Sequence, residues 1–86
     1  MRVTITDEKT GRSFEVEVYP ENTPNEIIEM LVKEGYIQPA PSGYYWVLAL
    51  QGEELDPYTP IVRQGVLDGA ELSLAPVPIP ATSTKQ

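Results

Sequence analysis

The fold is indicated most clearly by residues 10–26, TGRSFEVEVYPENTPNE, because they place a strand directly before a capped helix. Apolar and polar residues alternate over Ser13–Tyr19, the pattern of a strand that buries one face. Thr23 then stands three residues before Glu26, with Pro24 between them. This is the pattern of a capping box with proline in the first helical turn. The stretch therefore predicts a strand followed by a helix that begins near Thr23.

The residues before this stretch predict the first strand of a β-hairpin. Met1–Thr6 alternate with period two, and Gly11 lies in the segment that joins them to Ser13. Glycine accepts the positive φ of a bulged hairpin turn without steric cost. Both strands would turn one apolar face inward, with Met1, Val3, Ile5, Phe14, Val16 and Val18 as the inward residues.

The residues after this stretch predict one helix and three further strands. Apolar residues recur at helical spacing from Ile27, and Gly35 is a typical stop, so a helix is expected over 24–34. A loop follows over 36–43, and the remaining elements are a strand over 44–50, a short strand over 53–55, a helical turn over 61–64 and a last strand over 71–75. The order β-β-α-β-(β)-β, in which the parentheses mark the short strand, predicts an α+β fold.

The composition restricts the classes of function. The 86 residues suit one small domain, and the hydrophobic share of 41% is typical of a globular chain. The sequence contains no Cys and no His, which removes thiolate ligands, cysteine nucleophiles and the usual general base. We therefore expect no enzyme activity, no catalytic residue, no metal site and no cofactor.

The charge restricts the partners. Six basic residues face thirteen acidic ones, for a formal net charge of -7. Such a surface repels phosphate backbones and anionic lipids, so a protein partner with a basic patch is expected rather than nucleic acid or a membrane. Solubility alone also accounts for the acidity. No apolar run approaches the roughly 20 residues of a membrane span and no signal-peptide pattern is visible, so we expect a cytoplasmic monomer.

The chain resembles the ubiquitin-like superfamily. The stretch TGRSFEVEVYPENTPNE is similar to the hairpin turn, second strand and capped helix start of ubiquitin, and LQGEELDPYTPIVRQGVLDGAELSL follows its later elements without a gap. The resemblance covers residues 1–75 and implies a β-grasp domain, in which a mixed sheet packs on one helix. Residues 76–86 would form a Pro-rich and then polar tail. Gly43–Tyr45 and Val66–Gly69 also resemble small prokaryotic ubiquitin-like proteins linked to type VII secretion.

The resemblance does not extend to the residues through which ubiquitin acts. The chain ends in Thr84–Gln86 and contains no Gly-Gly, so conjugation through Gly-Gly is not expected. Activation of a deamidated Gln86 is the route that remains for a modifier. The positions of the ubiquitin hydrophobic patch correspond to Ala49, Ala75 and the loop Glu8–Lys9, where bulky aliphatic residues are absent, so receptors of ubiquitin are not expected to dock here.

A different strip on the same face is the candidate binding surface. If Trp46, Leu48 and Leu50 are core residues, Tyr45 and Val47 project outward with Ala49. An exposed apolar strip is typical of an interface, although β-forming propensity or cover by the tail also explains it. The predicted protein-binding residues are Tyr45, Val47, Ala49, Ala75 and Arg63, with Arg2 and Thr4 at the rim.

The C-terminal prolines predict an end to the last strand. Proline lacks the N–H that a β-ladder needs and favours extended geometry, so Pro76, Pro78 and Pro80 should form a polyproline-like arm after Ala75. The arm would dock along a groove, pack its Val77 and Ile79 on the domain, or serve as a stop and spacer. Residues 81–86 are expected to be disordered.

These observations favour a non-catalytic ubiquitin-like protein–protein interaction module. It would act as an adaptor or small subunit of a cytoplasmic complex. One alternative is a ubiquitin-like modifier attached through its C-terminus by E1/E2-type enzymes. The other alternative is a small structural subunit of an enzyme complex.

Overall fold

The computed structural model of the protein describes residues 1–80. It confirms the α+β class and the predicted order, with a short 3₁₀ turn before the last strand. The strands are β1 (Arg2–Asp7), β2 (Ser13–Glu17), β3 (Tyr44–Leu50), β4 (Glu53–Glu54) and β5 (Glu71–Pro78), and the helices are α1 (Pro24–Lys33) and the 3₁₀ turn Ile61–Gln64. The predicted disorder of residues 81–86, including Gln86, lies outside the described residues.

The five strands form one mixed sheet. Their spatial order is β2-β1-β5-β3-β4. The two central strands β1 and β5 are parallel, and every other neighbouring pair is antiparallel. This arrangement is compatible with a β-grasp.

The core lies between α1 and one face of the sheet. The predicted alternation is confirmed, because Val3 and Ile5 of β1 are fully buried while Arg2 is exposed. Side chains from β1, β2, β3, β5, the helix and the loops meet there. The buried apolar residues are Val3, Ile5, Val16, Val18, Ile27, Leu31, Ile37, Leu48, Leu55, Ile61, Val66, Leu72 and Leu74.

Helix α1 begins as the capping pattern predicts. The Glu26 main-chain N–H donates to the Thr23 hydroxyl over 3.2 Å, and the Thr23 N–H donates to the Glu26 carboxylate over 3.1 Å. The helix ends at Lys33, one residue before the predicted end, and Gly35 follows with a φ of +83°. Within residues 1–80, no helix is long and apolar enough to cross a bilayer.

Two loop features hold β4 against β3. Gln51 and Gly52 both have positive φ, 52° and 84°, as a two-residue type I′ hairpin requires. The Gln64 side chain then holds the loop that follows β4. It accepts from the Asp56 N–H over 2.7 Å and donates to the main-chain carbonyls of Asp56 and Thr59, each over 2.9 Å.

The prediction that the prolines end the last strand is wrong. Strand β5 continues to Pro78, and its register places Val77 opposite Tyr45. One residue beyond the strand, the Ile79 N–H still donates to the Gly43 carbonyl over 2.9 Å. Residues 76–78 are therefore a paired part of the sheet and not a polyproline-like arm.

The register explains why these prolines are tolerated. In an antiparallel strand, only alternate residues direct their N–H and C=O toward a given neighbour. Val77 and Ile79 are in the phase that bonds to β3, so Pro76 and Pro78 direct their nitrogens to the opposite edge. Strand β1 pairs with β5 only as far as Leu74, so none of the strands within residues 1–80 lies along that edge beyond it. The prolines thus occupy positions where the ladder needs no N–H.

A candidate protein-binding face

The candidate binding face is the sheet surface opposite α1, where β3 and β5 pair. Along β3, Leu48 is 1% exposed and Tyr45 is 40% exposed, while Tyr44, in the phase of Leu48 but at the start of the strand, is 44% exposed. Val47 and Ala49 share the outward phase with Tyr45 and are half-buried. Trp46 is half-buried against the core, and its indole N–H donates to the Gln38 carbonyl over 2.9 Å.

The pairing of β3 with β5 brings the predicted residues together. Tyr45 lies opposite Val77, and Val47 lies opposite Ala75. Directly opposite side chains in such a pair have Cβ atoms about 4.5–5.5 Å apart. The four residues therefore form one apolar strip, which continues to Ala49. From the sequence, Val77 is predicted to belong to the tail. The alternation of residues in the last strand, continued through Ala75 and Val77, could have placed Val77 on this face.

A shallow groove runs along this strip. Its volume is about 270 Å³. The small side chains of Ala49 and Ala75 form the depression, because larger residues at these positions would fill it. The residues that line it are Glu8, Val47, Ala49, Gly52, Glu54, Ser73, Ala75 and Val77. Sequence reasoning did not assign Glu8 or Glu54 to the site, because only the sheet order brings them to the same groove.

Two carboxylates border the groove. Glu54 lies on β4 opposite Ala49, and Glu8 follows β1 and donates its main-chain N–H to the Leu74 carbonyl over 2.9 Å. Both side chains are exposed, and no Lys or Arg lines the groove with them. The lining of the groove is therefore apolar and small, with negative charge at its margins.

The predicted rim residues lie away from the groove. Arg63 is in the 3₁₀ turn, which is hydrogen-bonded to the segment before α1 through the Val62 N–H and the Pro20 carbonyl over 3.1 Å. It is not among the residues that line the groove. Arg2 and Thr4 lie on the outward side of β1. The Arg2 guanidinium pairs there with two carboxylates of β2. Arg2 therefore contributes no unpaired cation to the groove.

A second depression lies at the free edge of β5. Its volume is about 490 Å³, and it is lined by Glu8, Lys9, Pro41, Tyr44, Ala75 and Pro76. It adjoins the groove at Ala75 and Glu8 but opens toward the hairpin turn. Lys9 belongs to this depression rather than to the groove.

Within residues 1–80, no group of three or more Asp, Glu, His or Cys side chains is arranged to hold a metal ion. Comparison with protein-family models and comparison with curated protein sequences both give no match for this chain.

Proposed function

We propose that this chain is a non-catalytic ubiquitin-like interaction module that binds a protein partner through the outward face of β3 and β5. It would act as an adaptor or small subunit of a cytoplasmic complex. The sheet order, the parallel central pair and the single helix after the first hairpin support the β-grasp assignment. The resemblance of residues 1–75 to ubiquitin supports the same assignment.

The observation that carries the proposal is a contrast within one sheet face. On the half formed by β1 and β2, the outward residues are polar: Arg2, Thr4, Thr6, Ser13, Glu15 and Glu17. On the half formed by β3 and β5, Glu71 at the start of β5 is the one charged outward residue, and the others are Tyr45, Val47, Ala49, Ser73, Ala75 and Val77. A sheet face that only meets water is polar at its outward positions. The apolar half is therefore the part that a partner would cover.

The C-terminal residues support binding without conjugation through Gly-Gly. The last glycine is Gly69, before β5 begins. The segment that would correspond to a flexible tail instead continues the ladder to Pro78. While it is paired in the sheet, the segment 71–78 is not the flexible, glycine-containing tail that conjugation of the ubiquitin kind uses.

Site-specific photo-crosslinking tests the proposal. A benzophenone amino acid replaces Val47 in one variant and Val62 in a matched control, since Val62 is 46% exposed and lies in the 3₁₀ turn, outside the face. Each variant is irradiated in a lysate of the source organism and purified under denaturing conditions. The Val47 variant should give a defined adduct that the Val62 variant lacks. The same adducts from both variants, or none from Val47, would contradict the proposed face.

The same preparation, without irradiation, separates binding from modification. An interaction module should show only its intact mass under denaturing conditions. A higher mass that survives denaturation, with a branched peptide that joins this C-terminus to a lysine, would identify a modifier instead. The double variant Tyr45→Ser/Val47→Ser should keep its fold but lose the partner, because it removes the two largest apolar side chains of the β3 half of the face.

A further inference from the structure

The width of the groove follows from the spacing of the strands that it crosses. Glu8 follows β1 and Glu54 lies on β4, so the two carboxylates flank the intervening strands β5 and β3. Neighbouring strands lie about 4.8 Å apart, so three strand intervals separate the two main-chain positions by about 14 Å. Between them lie only uncharged side chains.

A helix of a partner protein fits this width. An α-helix with its side chains is about 10–12 Å across. Laid along β3 and β5, it would place one stripe of residues over Ala49 and Ala75, whose small side chains allow close approach. Residues on the two sides of that stripe would lie above Glu54 on one side and Glu8 on the other. The arrangement therefore accepts an apolar stripe with a defined charge on both flanks.

The charge expected on the flanks of the partner helix follows from which acidic residues of the protein lack an ion-pair partner. Glu15 and Glu17 are within 3.8 Å and 3.4 Å of the Arg2 guanidinium, so their charge is largely compensated. Within residues 1–80, neither Glu8 nor Glu54 belongs to an ion pair. Opposite charge on a partner steers its approach and selects its orientation, and like charge at the same positions is repelled.

We infer that the groove binds an amphipathic partner helix whose apolar stripe is flanked on both sides by Lys or Arg. This inference rests on the proposed function and specifies the chemistry of the partner. A strongly acidic helix with the same stripe should be rejected.

Two synthetic peptides of about 18 residues, long enough to form an isolated helix, test this inference. Both carry leucine and alanine in the apolar stripe. One has lysine on both flanks, and its twin has glutamate at the same positions. Each is titrated into the ¹⁵N-labelled protein at about 20 mM salt, where screening is weak. The lysine peptide should shift the amide signals of Val47, Ala49, Ala75 and Val77, and the glutamate twin should leave them unchanged.

A matched pair of protein variants tests the role of the two carboxylates. Glu8→Gln/Glu54→Gln removes both groove charges. The control Glu29→Gln/Glu34→Gln changes the net charge equally, but Glu29 lies on α1 and Glu34 caps its C-terminus, on the other side of the sheet from the groove. The groove variant should bind the lysine peptide about 2- to 30-fold more weakly than the unchanged protein, and more weakly than the control variant does. The control should stay within about twofold, because its charges lie away from the groove.

Three results would overturn the inference. They are equal binding of the two peptides, no binding of the lysine peptide, and signal shifts centred on Lys9, Pro41 and Tyr44 of the second depression. Equal weakening in the two double variants would also reject it, because general charge attraction would then explain the binding. Failure here, together with a Val47-specific crosslink, rejects only the partner chemistry. Absence of that crosslink rejects the proposed function itself.

Discussion

Replacement of Pro76 by alanine is expected to destabilise the protein, although proline normally disrupts strands. Pro76 lies opposite Trp46 in the non-bonded phase of the β5–β3 pair. Its nitrogen faces an edge without a neighbouring strand, so the new N–H of alanine would gain a bond to water but none in the ladder. Alanine also gives the unfolded chain more conformational freedom. The expected loss is about 0.4–1 kcal/mol in the free energy of unfolding.

Val77→Pro is the contrasting substitution, since it adds a proline in the bonded phase, between Pro76 and Pro78. Val77 lies opposite Tyr45, two residues before the Ile79 N–H that donates to Gly43 over 2.9 Å. Proline there removes a ladder donor and leaves a carbonyl of β3 without its partner. The expected loss exceeds about 1 kcal/mol. One substitution removes a proline from the free phase, and the other adds a proline in the bonded phase.

Urea denaturation, followed by the fluorescence of Trp46, the single tryptophan of the chain, measures both effects. For a slope of about 1–1.5 kcal/mol per molar urea, Pro76→Ala should lower the midpoint by about 0.3–1 M. Circular dichroism provides a second probe, because Trp46 lies beside the substituted residue. Stabilisation by Pro76→Ala would refute the reasoning, since it would mean that this proline had interrupted the ladder. So would an unchanged midpoint for Val77→Pro.

Three further substitutions test local features by the same denaturation experiment. Thr23→Ala should cost about 1 kcal/mol, because the N-cap hydroxyl is lost; an unchanged midpoint would contradict the capping box. Gln51→Asn should stabilise by up to about 1 kcal/mol, since asparagine before Gly52 suits positive φ, and destabilisation would contradict the turn type. Gln64→Ala should cost about 1–3 kcal/mol through three lost hydrogen bonds, whereas exposed Gln38→Ala should change little.

The elements that sequence reasoning predicted correctly depend on local chemistry. The start of α1 depends on the side chains and backbone of Thr23, Pro24 and Glu26. The four residues 23–26 were therefore enough to locate it. Alternation over Met1–Thr6 identified which side of β1 is buried. Tyr44–Leu50 is apolar throughout, so its outward side was predicted on the condition that Trp46, Leu48 and Leu50 are core residues. In the structure Leu48 is buried and Trp46 and Leu50 pack against the core, so Tyr45, Val47 and Ala49 share the outward side.

The end of β5 could not be predicted in the same way. The effect of a proline on a strand depends on the direction of its missing N–H, and this direction has meaning only relative to the neighbouring strands. Pro76 and Pro78 face an edge that is open because β1 ends at Asp7, opposite Leu74. The position of Val77 on the binding face follows from the same fact.

Local patterns in the sequence are enough to predict the fold class, the order of the elements and the buried side of β1, because periodicity and capping act between residues a few positions apart. Which strands become neighbours depends on the tertiary structure. The order of the strands extends the ladder to Pro78 and places Val77 beside Tyr45. It also brings Glu8 and Glu54 to opposite sides of one groove. Residues so far apart in the chain meet only through the sheet order, which is set by burial of the whole core and not by any local pattern.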